Sequence, residues 1–390
     1  MSEHSDPILN SVGSSMRKIN SRSAQRQGIE RALVTTASSL VAVLIALVIC
    51  GIILQVTGKD ALDAYRKMFE TGIEGNKLLE SLQRATPLML SAVAVAIGFK
   101  MGMFNIGVEG QYLFAALFAA VIGAELDLPA PLHVALILVV AMLFGGLWAA
   151  IPAVLKVKRN VNEVIATIML NSIALAVIQW LFDTWFRDDS ISDLNVKTKL
   201  IPESGWMPDI VDGRLSGMFI VAVAIVFLYW LIVFKSRFGF RLRASGLNPV
   251  AARTAGIASS KMIVAAMLMS GAVAGLVGMP SVLGEIHAYG QGIPDGLGFN
   301  GIAVALLGRN HPVGIASAAF LFGFLNSTSA ALQLQKVPNS IILVIQAIIV
   351  LTVVIVNEAV SRWMDRRTAQ KTAAALEHHH AAPATAGAAA

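Results

Sequence analysis

The chain has 390 residues, of which 56% are hydrophobic and only 14% are charged. A soluble domain carries about 25% charged residues, so this composition excludes an ordinary soluble protein and indicates a membrane protein with several spans. The formal net charge of +6 does not indicate nucleic-acid binding, because the basic residues cluster beside apolar runs as the positive-inside rule predicts. The single cysteine, Cys50, excludes an intrachain disulfide.

Long apolar runs predict an all-α fold, a polytopic transmembrane helical bundle with about ten spans. The first run, 32–56, is longer than the roughly 7–15 residues of a signal-peptide core, so we expect it to be retained. The eighth run is short. In chain order the runs lie near 32–56, 87–104, 110–126, 132–154, 162–184, 216–234, 262–283, 301–312, 313–331 and 340–358.

The connecting segments predict the orientation and the domain limits. The basic clusters all fall on one side of the ten spans, which places both termini in the cytoplasm. We expect a mixed-charge helix on the outer surface within 57–86 and a net acidic outer loop at 185–215. The predicted domains are a cytoplasmic N-terminal segment (1–31), a transmembrane domain (32–360) and a disordered cytoplasmic tail (361–390).

The loop 235–261 carries six basic residues and no Asp or Glu, which is typical of a cytoplasmic loop. Within it, Asn248–Gly256 reads as a short helix, because Asn248 can cap, Pro249 suits the first helical position and Gly256 can end the helix. Such a helix is a shape that another protein can hold. The alternative is a loop that merely connects two spans.

Chemistry-bearing motifs are few. There is no G-x-x-x-x-G-K-[ST] sequence, so ATP hydrolysis by that route is not expected of this chain, and neither catalytic residues nor a metal site are predicted. Neutral polar residues recur near two glycine-rich stretches, 98–111 and 284–300. They indicate either a pathway for an uncharged, hydroxyl-rich solute or hydrogen bonds between helices, worth about 0.6 kcal/mol a pair. Gly271 and Gly275 predict a close-packing helix face.

Four segments resemble a known family. GFKMGMFNIGVEGQ (98–111), RNVNEVIATIMLN (159–171), FGFRLRASGLNPVAARTAGI (238–257) and GFNGIAVALLGRNHPVG (298–314) are similar to permease subunits of ATP-binding cassette importers. The branch is the one for branched-chain amino acids, ribose-type sugars and nucleosides. The resemblance is nearest to nucleoside permeases that work with a basic-membrane-protein-like lipoprotein.

The resemblance implies an all-helical permease in the cytoplasmic (inner) membrane of a bacterium, in contact with lipid. Its partners would be an ATP-binding subunit that holds ATP and Mg²⁺, a second permease subunit, identical or homologous, and an extracytoplasmic solute-binding protein. The chain itself would bind no cofactor. Coupling to the ATPase would fall to Gly246, Asn248, Pro249, Ala251, Ala252 and Gly256.

Our candidates for the substrate pathway are Asn105, Glu109, Gln111, Asn171, Asn300 and Asn326. The expected function is ATP-driven nucleoside import. A simple-sugar permease of the same importer class is the first alternative. An ion-coupled secondary transporter, or a structural membrane protein with no transport activity, would be a different class.

Overall fold

The structure is a computed structural model that describes residues 38, 41–56, 58, 60–188, 190, 196–211, 213–290, 292–329, 333 and 339–381. It divides into two compact units, Lys59–Gln346 and a second one made of Met1–Gly58 with Ala347–Ala390. The predicted N-terminal segment 1–31 lies outside the described residues.

The described chain is almost entirely helical. The helices are α1 (Val41–Val56), α2 (Ala61–Ile73), α3 (Lys77–Lys100), α4 (Val108–Ala124), α5 (Ala130–Arg159), α6 (Glu163–Leu181), α7 (Met218–Tyr229), α8 (Arg237–Leu247), α9 (Pro249–Thr254), α10 (Ser259–Gly275), α11 (Met279–Gly284), α12 (Leu297–Leu307), α13 (Pro312–Ser327) and α14 (Asn339–Ala381). Helices α6 and α7 continue as π-helical turns, Phe182–Phe186 and Trp230–Lys235.

Six described helical segments are long and apolar enough to cross a membrane. They are Lys77–Lys100, Ala130–Arg159, Glu163–Phe186, Met218–Lys235, Ser259–Gly284 and Ile342–Met364. Four further apolar helices, α1, α4, α12 and α13, are shorter. The predicted polytopic helical bundle is therefore confirmed, whereas the count of ten spans and the cytoplasmic position of both termini stay predictions.

Three segments differ from the prediction. Helix α3 begins at Lys77, ten residues before the predicted span, because the charges of its first turns pair with one another: Glu80 bonds Lys77 at 2.6 Å and Arg84 at 3.0 Å. Residues 237–247, expected to be loop, form α8, which Ser236 caps by accepting from Gly239 N. The tail expected to be disordered from 361 continues as helix to Ala381, and 382–390 lie outside the described residues.

Helix α3 is the most enclosed of the six long segments, with 72% of its apolar window buried. It packs against α10, α12 and α13. Helix α10 also lies against α5 through small residues: a methyl group on Gly145 would overlap Gly271 O and lie 2.9 Å from Gly275 Cα. The predicted packing role of Gly271 and Gly275 is thereby confirmed.

The loop predicted to be external folds over the start of the second glycine-rich stretch. Thr198 N donates to Tyr289 O at 2.8 Å and Ile201 N donates to His287 O at 2.9 Å. Two short antiparallel strands, β1 (Asp209–Val211) and β2 (Leu215–Ser216), complete the loop. The loop 185–215 and the segment that precedes α12 are thus joined by backbone hydrogen bonds.

Candidate functional site

Helices α4 and α12 both start inside the bundle after irregular backbone. Segment 101–107 precedes α4 and segment 285–296 precedes α12. At 1.5 Å per residue α12 is about 16 Å long, roughly half of a 30 Å hydrocarbon layer. The two helix starts touch, because a methyl group on Gly298 would lie 2.8 Å from Glu109 Cα. Both predicted glycine-rich breaks therefore meet at one place.

The carboxylate of Glu109 caps the N-terminus of α12. Its Oε1 accepts from Gly296 N at 2.6 Å and its Oε2 accepts from Gly298 N at 2.7 Å. The Tyr112 hydroxyl, which has one proton to donate, lies 3.1 Å from Oε1 and 2.8 Å from Pro294 O. The first amides of a helix lack partners within the helix and carry a partial positive charge. Glu109 is 6% exposed, so an anionic side chain of the protein itself fills the position where a helix start would attract an anion.

Asn105 and Gln111 form a second buried contact, between the irregular segment and α4. Each amide donates to the other's oxygen, at 3.0 and 3.1 Å, and both residues are 1% exposed. Asn105 Nδ2 also donates to Ser270 Oγ at 2.8 Å, and Ser270 Oγ donates to Ala94 O at 2.6 Å. This network joins the break to α3 and α10. Ser270 was not singled out in the sequence, because it lies within an apolar run with no feature of its own.

Asn171 of α6 forms hydrogen bonds with the backbone where segment 101–107 leads into α4. Its Oδ1 accepts from Gly110 N at 3.0 Å and its Nδ2 donates to Ile106 O at 2.9 Å. These two backbone groups are four residues apart, the spacing of an α-helical hydrogen bond. One side-chain amide therefore supplies the bonds that the backbone lacks as α4 begins.

The other two pathway candidates lie apart from this centre. Asn300 is half-buried on α12, and no side-chain hydrogen bond of it occurs among the described residues. Asn326 accepts from Gln346 Nε2 at 2.9 Å. The structure thus brings together four of the six candidates, Asn105, Glu109, Gln111 and Asn171, and as placed they bind the protein's own backbone and side chains. Their role in a solute pathway stays a prediction.

The predicted helix of the basic loop is present as α9. Asn248 Oδ1 accepts from Val250 N and Ala251 N, both at 3.0 Å, and Pro249 is the first helical residue. Gly256 has a φ of +80°, which favours glycine directly after a helix. The sequence assigned all three positions correctly.

Four of the six predicted coupling residues are exposed, namely Asn248, Pro249, Ala251 and Gly256. Two residues that were not among the six are also exposed: Leu247, the last residue of α8, is 88% exposed, and Val250 of α9 is 62% exposed. Ala252, expected to face a partner, is only 4% exposed, so it packs inside the loop and cannot form an outer surface. We call Leu247 and Val250, which lie on either side of the Asn248 cap, the apolar tip.

Gly246 also faces inward. A methyl group on it would lie 2.6 Å from Lys100 O, and one on Gly102 would lie 2.9 Å from Gly246 O. The backbone before α9 therefore rests directly on the end of α3 and on the break that leads to Asn105. Gly246 connects the loop to the helix bundle rather than belonging to the surface of α9.

The fold, with several helices long and apolar enough to cross a membrane and with helix breaks buried between them, is that of a polytopic membrane protein. Residues 77–354 match the family described as "Branched-chain amino acid transport system / permease component". The chain belongs to this family and is therefore a permease component, not an enzyme in its own right.

Three relatives of the chain are permease proteins of ABC transporters. The chain is 38% identical over 319 residues to the guanosine ABC transporter permease protein NupP of Bacillus subtilis, covering 80% of this chain and 91% of that protein. It is 31% identical to the nucleoside ABC transporter permease protein NupB of Lactococcus lactis, with 80% and 88% covered. It is 33% identical to the glucose ABC transporter permease protein TsgB13 of Haloferax volcanii, with 79% and 84% covered.

Proposed function

We propose that the chain carries a nucleoside across the cytoplasmic membrane of a bacterium, as the permease subunit of an ATP-driven importer. The similarity to NupP over nearly the whole of that protein is the observation that carries this proposal. The partners are a separate ATPase that binds ATP and Mg²⁺, a second permease subunit, and an extracytoplasmic solute-binding protein.

The chemistry of the bundle supports an uncharged solute. Glu109 fills the helix start that would otherwise favour an anion. The remaining pathway candidates, Asn105, Gln111, Asn171, Asn300 and Asn326, are all neutral amides that can donate and accept hydrogen bonds. Of the six, the half-buried Asn300 is the one whose side chain makes no hydrogen bond among the described contacts, so its whole amide is available to a solute.

Coupling to the ATPase takes place at α9. The apolar tip is presented beyond the bundle, and exposed apolar side chains on a capped helix suit a groove on a partner protein. Force applied to the tip reaches Gly246 and, through its backbone contact, the end of α3 and segment 101–107. From segment 101–107, the hydrogen bond of Asn105 to Ser270 reaches α10. The Glu109 carboxylate, in the first turn of α4, reaches α12 through Gly298 N.

A simple sugar is the second candidate, because one relative at similar identity is named a glucose permease. Uptake of radiolabelled guanosine, adenosine, uridine, ribose and glucose, by cells with and without this chain, decides between them. We expect loss of the chain to abolish nucleoside uptake and leave sugar uptake unchanged. Loss of sugar uptake alone would overturn the nucleoside assignment, and nucleoside uptake that follows the ion gradient without ATP would overturn the importer class.

A further inference from the structure

Basic side chains surround the ring of Phe234, which lies in the π-helical turn after α7. Lys100 Nζ lies 5.3 Å from the ring centroid and Arg243 Cζ lies 5.6 Å from it. The ring of His311 is centred 5.7 Å from that of Phe234, and the two ring planes are inclined at 64°. We call Lys100, Arg243 and His311 with Phe234 the basic cluster. Its members come from the end of α3, from α8 and from the turn before α13, so the fold assembles it from distant parts of the chain.

The cluster lacks a counter-charge within the described part of the chain. No described carboxylate forms an ion pair with Lys100 or Arg243, and the loop 235–261 contains no Asp or Glu. The Arg243 guanidinium donates to Val233 O, a neutral acceptor. Burial lowers the pKa of His311, and the charge of Lys100 lowers it further. Two close cations that repel each other are stabilised when an anion binds between them.

The position of the basic cluster indicates where that anion comes from. Lys100 is the last residue of one spanning segment and Lys235 is the last residue of another, Met218–Lys235. Beside them Lys235 Nζ lies 5.2 Å from the ring of Trp230, and tryptophan is enriched at the membrane interface. The cluster therefore lies at the depth of lipid headgroups.

We propose that the basic cluster binds the phosphate of an anionic phospholipid headgroup, with Lys100 and Arg243 on the phosphate oxygens and Phe234 beneath them. Basic pockets between the ends of spanning helices are sites of this kind. The apolar tip is a separate surface and is not part of this site. Assignment to the inner leaflet rests on the proposed cytoplasmic position of the loop, whereas headgroup binding does not.

The test compares the full chain in nanodiscs of phosphatidylcholine alone, the same nanodiscs with inorganic phosphate, and nanodiscs containing phosphatidylglycerol. The variant is Lys100→Gln, and the control is Lys261→Gln, which removes one exposed charge from the first turn of α10. Native mass spectrometry counts retained phosphatidylglycerol, and thermal unfolding measures stabilisation. A basic residue at the membrane surface contributes about 1 kcal/mol to lipid binding, which corresponds to about fivefold in affinity.

We expect phosphatidylglycerol to stabilise the parent protein and Lys261→Gln equally, and Lys100→Gln to bind it about fivefold more weakly. In phosphatidylcholine alone we expect Lys100→Gln to unfold at the same temperature as the parent or higher, because charge repulsion is removed; this shows that the variant folds. Equal lipid retention by Lys100→Gln and Lys261→Gln would overturn the proposal. So would equal stabilisation by inorganic phosphate, or a charge effect that appears only with the ATPase subunit, which would assign the cluster to that protein.

Discussion

Glu109 and Gly298 are joined by a hydrogen bond of 2.7 Å from Gly298 N to the Glu109 carboxylate, although 189 positions separate them in the chain. Gly296 N donates to the same carboxylate at 2.6 Å. One side chain in the first turn of α4 thus caps α12, and the N-termini of these two helices are held in contact. Movement of either helix alone would remove the acceptors from two buried amides.

Replacement of Glu109 by Gln tests this cap. Glutamine has one oxygen and one amino group, so either Gly298 N or Gly296 N loses its acceptor, whereas the Tyr112 hydroxyl keeps Pro294 O at 2.8 Å. An unsatisfied buried donor costs about 1–3 kcal/mol, and we expect a loss of stability of that size. Thermal unfolding in detergent measures it. Glu125→Gln at the far end of α4 is the control: its side chain is 66% exposed and pairs with the exposed Lys199 at 3.2 Å, and the loss of such a surface pair costs less than about 1 kcal/mol. Equal effects would contradict the cap.

Asn171→Ala tests the bridge between α6 and the first break. The substitution leaves Gly110 N and Ile106 O without the bonds that the Asn171 amide now makes. We expect a loss of about 1–3 kcal/mol in stability, together with faster hydrogen exchange at Gly110. The neighbouring residue Ser172 is exposed on the same helix, so Ser172→Ala is the control and should change neither quantity. Unchanged hydrogen exchange at Gly110 in Asn171→Ala would contradict the hydrogen bond between Gly110 N and the Asn171 side chain.

The paired glycines of α5 test the close contact with α10. A methyl group on Gly145 overlaps the backbone of Gly271, whereas one on Gly146 has Leu268 O as its nearest neighbour at an ordinary 3.5 Å. Gly145→Ala should lower stability by about 1–3 kcal/mol through overpacking. Gly146→Ala should be neutral or slightly stabilising, since alanine favours a helix. Equivalent unfolding temperatures for the two variants would show that the helices do not meet here.

Truncation of the apolar tip tests the coupling surface. Leu247→Ala with Val250→Ala removes the exposed apolar side chains while leaving the Asn248 cap intact. We expect the affinity for the ATPase subunit to fall about tenfold, a loss of about 1.4 kcal/mol, with unchanged membrane insertion. Phe240→Ala on α8 is the control, because Phe240 is 62% exposed, as Val250 is. Normal affinity in the double variant would remove α9 from the interface.

An Ala252→Asp substitution is a poorer test of coupling than truncation of the apolar tip. If Ala252 faced the ATPase, the substitution would leave membrane insertion intact and separate ATP hydrolysis from uptake. Ala252 is 4% exposed, so an aspartate there would place an unpaired charge inside the loop and disturb α9 itself. Its effect on uptake could not be assigned to the partner surface.

Apolar runs located the helices well where a run coincides with a whole helix, as in α5 and α13. The predicted span at α3 begins ten residues too late, because the sequence assigns the charged residues Lys77, Glu80 and Arg84 to a separate mixed-charge surface helix, whereas they pair within the first turns of α3. Helix α8 was also missed, because its apolar residues are too few to mark a helix although Ser236 caps it. Local patterns report hydropathy, and both errors arose where charge pairing or capping decides the structure.

At the candidate site, four of the residues selected from the sequence, Asn105, Glu109, Gln111 and Asn171, are buried beside the break, and their role in a solute pathway stays a prediction. The sequence could not select Ser270, whose bond to Asn105 spans 165 positions. It also assigned Ala252 to the wrong side of α9, because helical periodicity alone does not say which side of a six-residue helix faces the bundle. Leu247 and Val250 could have been found from one signal, namely two large apolar residues on either side of a helix cap in an otherwise basic loop.

Reconstituted transport tests the central claim most directly. The chain, its partner permease and its ATPase are placed in proteoliposomes with the solute-binding protein outside, and entry of labelled guanosine is followed with and without internal ATP and Mg²⁺. We predict that guanosine entry requires ATP and is lost when Leu247 and Val250 are both alanine. Entry that proceeds without ATP, or that is unaffected by loss of both side chains, would contradict it.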